Sequence, residues 1–217
     1  MPSAQQAAAA ARARAARLDP AHPTVIYQHV DYSAGPRAAW WPKGESPLLA
    51  PLVAAGQLPP VAERVGPEPL VLAGVDGLGR YGGTWNRLAI DPNDLEGILH
   101  TRLSYVSLVR WSPEGYPIVP HLAKSWTVSP DKRVWTFTLR RGLRWSDGHP
   151  FTTDDIMFWW ENEVLAFASD TLADPSFMRH AGRLGRIDKI DALTLRFSFD
   201  EPNALFLEKL ASAVDYF

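Results

Sequence analysis

The sequence predicts a domain of mixed α+β type. Residues 123–140 and 187–199 alternate apolar and polar side chains with the period of two that is typical of strands covering a core. Residues 152–168 instead place apolar side chains at helical spacing and begin with helix-capping chemistry. With 217 residues, the chain is long enough for one good core or two small ones.

The composition excludes several classes of function. The formal net charge is only −2, so attraction to nucleic acid or to anionic membranes is not expected. No cysteine is present, which excludes disulfides and thiolate chemistry. The histidines lack the short spacings of metal sites, so neither a metal nor another cofactor is expected. No run of about 18 apolar residues predicts a membrane span.

Residues 1–75 form an Ala/Pro-rich N-terminal extension, and residues 76–217 form the predicted domain. Ala7 to Ala11 is followed by arginines, which is the wrong order for a secretory signal, so no export signal is visible in this chain. One short helix is predicted from Ser46 to Ala55, because Ser46 can cap it and Gly56 can end it. Its predicted buried stripe is Leu48, Leu49, Leu52 and Val53.

The domain itself begins with a glycine-rich approach to a first strand, predicted over Thr84–Ile90 and ended by Asp91-Pro92. The glycines could suggest a phosphate loop. However, no GK[ST] motif and no helix start follow them, so a flexible approach to a strand is the better interpretation.

An antiparallel hairpin is predicted around the turn 129–132. The apolar side chains on its two strands share one face, which is expected to be buried: Trp126, Val128, Trp135, Phe137 and Leu139. A further hairpin strand is predicted near the end of the chain, with Leu193, Leu195, Phe197 and Phe199 facing inward, before a helix that contains Phe206, Leu207, Leu210 and Val214.

The predicted helix from Thr153 to about Ala168 begins with Thr152 as its cap and Asp155 completing a capping box. Its predicted buried stripe is Ile156, Trp159, Trp160, Val164 and Phe167. Four carboxylates, Asp154, Asp155, Glu161 and Glu163, raise the possibility of acid–base hydrolysis. Capping and solvation explain these carboxylates better, so the chain is not expected to be an enzyme.

Several motifs follow one another in this region: the string from Pro120 to Trp126, the segment Trp135–Arg140, and above all Arg144-Trp145-Ser146-Asp147-Gly148 followed by Pro150-Phe151-Thr152 and Asp154-Asp155-Ile156. In this order, the motifs resemble those of family 5 extracellular solute-binding proteins. Asp191–Phe197 followed by Glu201-Pro202 agrees as well, so the resemblance covers roughly residues 82–210.

The resemblance implies a type II periplasmic-binding-protein fold, in which two lobes close on a solute and then dock on an ABC permease. The implied cargo is a peptide or an oligosaccharide, a choice that the sequence leaves open. The implied location is extracytoplasmic, and a monomer is expected. We expect the chain to be an N-terminal part of such a protein, with an incomplete lobe I, its hairpin-rich subdomain and no second lobe. It should then bind solute weakly by itself.

In the family, the loop after the first strand faces the ligand, and the residues at that place are Leu88, Ala89, Ile90 and Asp91. They are the predicted ligand-binding residues. Alternatively, Asp91-Pro92 merely turns the chain. Trp126, Trp135, Trp145, Trp159 and Trp160 are expected to be core residues rather than ligand contacts. For the whole chain, the alternative to a binding protein is a subdomain that acts only as an interaction module.

Overall fold

The computed structural model describes residues 5, 30–42, 44–71, 84, 86, 88–99, 106–112, 117–166 and 175–212. The chain divides into two compact units: Met1–Leu58 with Val71–Gly83, and Pro59–Leu70 with Thr84–Phe217. The second unit therefore includes residues 59–70, which the sequence places in the extension. In the part of the chain that the structure describes, no helix is long and apolar enough to cross a membrane.

The first unit contains a 3-10 helix, Tyr32–Arg37, and the short helix α1, Ala50–Ala54. The helical turn starts at Ser46, whose carbonyl accepts hydrogen bonds from Leu49 and Ala50, and Gly56 ends it with a φ of +69°. The predicted helix is therefore present. Its predicted buried stripe is wrong for Leu48, which is 70% exposed, and for Leu52, which is also exposed.

The second unit is built mainly on β-strands. They are β1 Val109–Trp111, β2 Ile118–Pro120, β3 Ala123–Val128, β4 Val134–Leu139, β5 Arg179–His180, β6 Arg183–Leu184, β7 Arg186–Asp191 and β8 Thr194–Ser198. Four of them form an antiparallel sheet in the order β3-β4-β8-β7, and two smaller pairs, β1 with β2 and β5 with β6, accompany it.

The register of β4 and β8 explains why one face of the sheet is apolar. Trp135 lies opposite Phe197 and Phe137 lies opposite Leu195, so the alternating side chains of the two strands fall on the same face. All four of these side chains are buried, which confirms the two hairpins predicted from the sequence.

Helix α5, Phe206–Leu210, closes this apolar face. The Phe206 ring is completely buried. It lies 4.9 to 6.4 Å, between ring centroids, from a shell of aromatic side chains: Trp135, Phe137, Phe177, Phe197 and Phe199. Aromatic rings at this separation contribute both buried area and edge-to-face attraction, so Phe206 is the centre of the core.

Helix α4, Thr153–Trp159, packs beside β7 and continues as a π-helical turn, Trp160–Leu165. Its predicted capping box is confirmed, because the Thr152 hydroxyl accepts from the backbone N–H of Asp154 and the Asp155 carboxylate accepts from that of Thr152. Its buried residues include Ile156, Trp160 and Val164, as predicted. Phe167 lies outside the described residues.

Residues 59–70, with the one-turn helix α2 at Val61–Arg64, are fastened to the sheet by a buried carboxylate. Glu68 is 6% exposed and accepts hydrogen bonds from the backbone N–H and Nε of Arg141, both at 2.8 Å, and from Nζ of Lys124 at 3.3 Å. Next to it, Gly142 has a φ of +80°, and a Cβ there would lie 2.4 Å from Cδ of Pro67. We call the contact of Glu68 with Arg141 and Lys124 the Glu68 clip.

The described residues of the predicted first strand, Thr84, Asn86 and Leu88–Ile90, form no strand. Instead the chain enters helix α3, Pro92–Ile98, directly after Asp91. The reason is that Asp91, Pro92 and Asp94 together provide strong helix-start chemistry, with a capping carboxylate, proline at the first helical position and an acid in the first turn.

Candidate functional site

The predicted ligand-binding residues form an exposed loop immediately before α3. Leu88 is 96% exposed and Ile90 is 94% exposed, and Ala89 and Asp91 are exposed as well. Exposure of two large apolar side chains to water is unfavourable, because neither gains the free energy of burying its apolar area. The loop therefore offers a surface that a bound molecule could cover.

Hydrogen bonds hold this loop at its C-terminal end. The backbone N–H of Asp94 donates to Oδ1 of Asp91, and Oδ2 of Asp94 accepts from the backbone N–H of Ile90, both at 2.9 Å. Asp91 thus caps α3, so the alternative in which Asp91-Pro92 turns the chain agrees with the structure. The capping bonds also fix the backbone that carries Ile90, so a capping role and a ligand contact by the loop are compatible.

The tryptophans divide into buried and exposed ones. Trp135 and Trp160 are buried, and Trp126 and Trp159 are partly buried against the core, as expected. The expectation that Trp145 is a core residue is wrong, because its side chain is 49% exposed. The strand alternation stops at Gly142, and Trp145 lies in the turn before Gly148. The alternation therefore does not predict whether Trp145 is buried.

The carboxylates of α4 are used structurally. Asp154 forms an ion pair with Lys189, and Asp155 accepts hydrogen bonds from the backbone of Thr152 and from the indole of Trp145. Desolvation opposes ionisation of Asp155, but these hydrogen bonds outweigh it and lower the pKa of its carboxyl. Among the described residues, no three acidic or histidine side chains are grouped as a metal site.

Burial strongly lowers the proton affinity of His121. Desolvation, reinforced by the nearby positive charges of Arg110 and Arg140, lowers the pKa of its imidazole to about 4. Its Nδ1 lies 3.0 Å from the carbonyl oxygen of Ser107, and its own carbonyl accepts from Nε of Arg140. His121 is therefore neutral near pH 7. Through its contacts with Ser107 and Arg140, it links the residues before β1 to the end of β4.

Residues 117–217 match the family described as bacterial extracellular solute-binding proteins, family 5, middle. Among curated proteins, the chain is 37% identical over 173 residues to the periplasmic alpha-galactoside-binding protein of Rhizobium meliloti (strain 1021), an alignment that covers 69% of this chain and 24% of that protein. The matched relatives are binding proteins and not enzymes.

Two solved structures share the backbone arrangement. One, named oligopeptide-binding protein OppA, has a TM-score of 0.68 and 39% identity, covering 83% of this chain and 27% of its own. The other is the periplasmic binding protein MelB of Agrobacterium fabrum C58 in complex with stachyose, with a TM-score of 0.57 and 26% identity, covering 89% of this chain and 32% of its own. The chain thus spans about a quarter to a third of the length of these relatives.

Proposed function

Because the chain belongs to family 5 of the bacterial extracellular solute-binding proteins over residues 117–217, we propose that it serves in the capture component of an ABC importer. In this role it would bind an oligomeric solute outside the cytoplasm and deliver it to a membrane permease. The proposal is supported most directly by the likeness to OppA, which reaches 39% identity over 83% of the chain together with a TM-score of 0.68.

We assign the solute contact of this chain to the loop of Leu88, Ala89, Ile90 and Asp91. Its exposed apolar side chains would bury their area against the solute, while the exposed backbone of Leu88 and Ala89, which lies in no strand, could form hydrogen bonds to an extended ligand. A loop fixed by the capping bonds of Asp91 and Asp94 would lose little conformational entropy on binding.

The proposed solute is either a peptide or an α-galactoside oligosaccharide. Likeness to OppA supports a peptide, whereas the alpha-galactoside-binding relative and the stachyose complex of MelB support an oligosaccharide. The chain by itself would contribute one wall of the site, so we expect dissociation constants in the millimolar range or weaker, which is typical of a site with few contacts.

Saturation-transfer difference NMR detects binding of this strength and tests the proposal. The chain would be presented separately with stachyose and with trialanine, each at millimolar concentration. We expect transfer to one of the two solutes, and a reduced transfer in the Ile90→Ala variant. Leu205→Ala is the matched control, because Leu205 is also a large exposed aliphatic residue of the second unit but lies beside α5.

If both solutes give no transfer, or if Ile90→Ala and Leu205→Ala behave alike, the loop does not contact solute. A folded chain of this kind, shown to be intact by circular dichroism, would then fit the alternative of a subdomain that acts only as an interaction module.

A further inference from the structure

Trp145 is the first residue of a tight, hydrogen-bonded turn. Arg144 and Pro150 form an antiparallel β-bridge, and within it the backbone N–H of Trp145 donates to the carbonyl of His149 at 2.8 Å. The N–H of Gly148 donates back to the carbonyl of Trp145 at 2.9 Å. The backbone that carries the indole is therefore fixed by hydrogen bonds on both sides.

The indole ring is fixed as well. Its Nε1–H donates to Oδ1 of Asp155 at 3.0 Å, and the other oxygen of Asp155 is held by the backbone of Thr152 at 2.7 Å. The Phe151 ring packs against it edge to face, with 5.1 Å between ring centroids. Although its edge is bound and one side is packed, 49% of Trp145 remains in solvent.

A large aromatic side chain that is exposed and rigid is a favourable contact site, because little rotamer entropy is lost when a ligand covers it. Ser146, Asp147 and His149 are exposed polar residues of the same turn, so hydrogen-bonding groups accompany the ring. An aromatic face with polar groups at its rim suits a pyranose, whose C–H face packs on the ring while its hydroxyls form hydrogen bonds.

A protein partner fits this place less well. Stable protein interfaces bury several hundred Å² on each side around an apolar centre. Here the turn residues that follow Trp145 are polar or glycine and exposed, so the indole is bordered by hydrogen-bonding groups on that side. A polar border of this kind fits the hydroxyls of a sugar ring better than the apolar centre of a protein interface.

From this geometry we propose that Trp145 is a stacking platform for a sugar ring, separate from the loop of residues 88–91. The inference rests on the proposed function, in which an α-galactoside oligosaccharide is one of the two solute classes. It adds a second point of contact, at which the ring of a neutral sugar packs on the indole and its hydroxyls bond to the polar turn.

The test uses the whole chain with methyl α-galactopyranoside, stachyose and trialanine as probes. In a ¹H–¹⁵N spectrum, the Trp145 indole resonance is identified as the one that disappears in Trp145→Phe. We expect this resonance to shift on titration with either sugar and to stay unchanged with trialanine. The titration itself is made on the unmodified chain, and the conservative variant Trp145→Phe serves only to assign the resonance.

Saturation transfer to methyl α-galactopyranoside gives the second readout. We expect Trp145→Ala to weaken sugar binding by about threefold to tenfold, the range for loss of one aromatic contact. Phe158→Ala is the matched control, since Phe158 is a 64% exposed aromatic residue on α4 outside the turn, and its loss should leave sugar binding unchanged.

The two proposals fail in different ways. An indole resonance that does not move with either sugar, or equal sugar binding by Trp145→Ala and Phe158→Ala, overturns the stacking platform whatever Ile90→Ala does. Conversely, a sugar response at Trp145 combined with no effect of Ile90→Ala supports the platform and contradicts the loop as the solute contact.

Discussion

The Glu68 clip gives the sharpest prediction about the fold. In Glu68→Gln, the side chain keeps its size, but one carboxylate oxygen becomes an amide NH₂ that faces the donors of Arg141 and Lys124. At least one hydrogen bond to a charged group is lost, and such bonds contribute roughly 1.5–3 kcal/mol each. Arg141 and Lys124 are partly exposed and can regain water, so we expect the lower half of this range.

The assay is urea unfolding of the wild type and the variant, followed by tryptophan fluorescence at pH 7. Glu63→Gln on the exposed side of α2 is the matched control and should change the free energy of unfolding by less than about 0.5 kcal/mol. Desolvation opposes ionisation of Glu68, but its hydrogen bonds with Arg141 and Lys124 outweigh desolvation and lower the pKa of its carboxyl, which adds a second signature. Because that pKa lies below the ordinary value, wild-type stability should fall as pH decreases below about 4.5, and this part of the decrease should be absent in Glu68→Gln.

A loss in Glu68→Gln no larger than that in Glu63→Gln would refute the reasoning. Residues 59–70 would then lie against the sheet without stabilising it, and their assignment to the second unit would have no energetic basis.

Three other predictions concern the second unit. Phe206→Ala should reduce the free energy of unfolding by about 3–5 kcal/mol because its side chain is completely buried, whereas Leu205→Ala, at an exposed position, should have little effect. Equal losses of the two variants in urea unfolding would contradict the place of Phe206 in the core. Gly142→Ala should destabilise the chain by more than 1 kcal/mol in the same assay, because the φ of +80° and the approach of Pro67 both exclude a Cβ at this position. An unchanged urea midpoint would contradict this expectation. Burial lowers the pKa of His121 to about 4, so the free energy of unfolding should decrease from pH 7 toward pH 4 by on the order of 2 kcal/mol. The variant His121→Gln should show a flatter decrease. Identical pH profiles of the two proteins would contradict this role of His121.

The sequence predicted the sheet well because each buried strand has a clear alternating pattern. Trp135, Phe137, Leu195 and Phe197 carry that pattern, and their register brings all of them to one face. The capping box at Thr152 and Asp155 was equally predictable, since it depends on two residues at a fixed local spacing. Local signals of this kind need no knowledge of distant parts of the chain.

The errors occurred where burial depends on distant contacts or where local signals compete. Glu68 could not be identified as a buried clip, because its partners lie 56 and 73 positions later in the sequence. The strand predicted over Thr84–Ile90 is wrong for the described residues of that range, because strands are stabilised by cross-strand and core contacts, whereas Leu88 and Ile90 are almost fully exposed. The strand alternation predicts a buried Trp145 only if it continues beyond Gly142, but the chain turns at Gly142 and Trp145 is half exposed.

Above all, we propose that the chain contributes to a solute-binding site through residues 88–91. The most direct test is to assign the backbone amide resonances of the chain and to titrate it separately with stachyose and with trialanine. We expect one solute to shift the amides of Leu88, Ala89, Ile90 and Asp91 more than those of the β3–β4 hairpin. If both titrations leave the four amides unchanged at millimolar solute, the chain has no solute contact at this loop and its assigned role in capture is wrong.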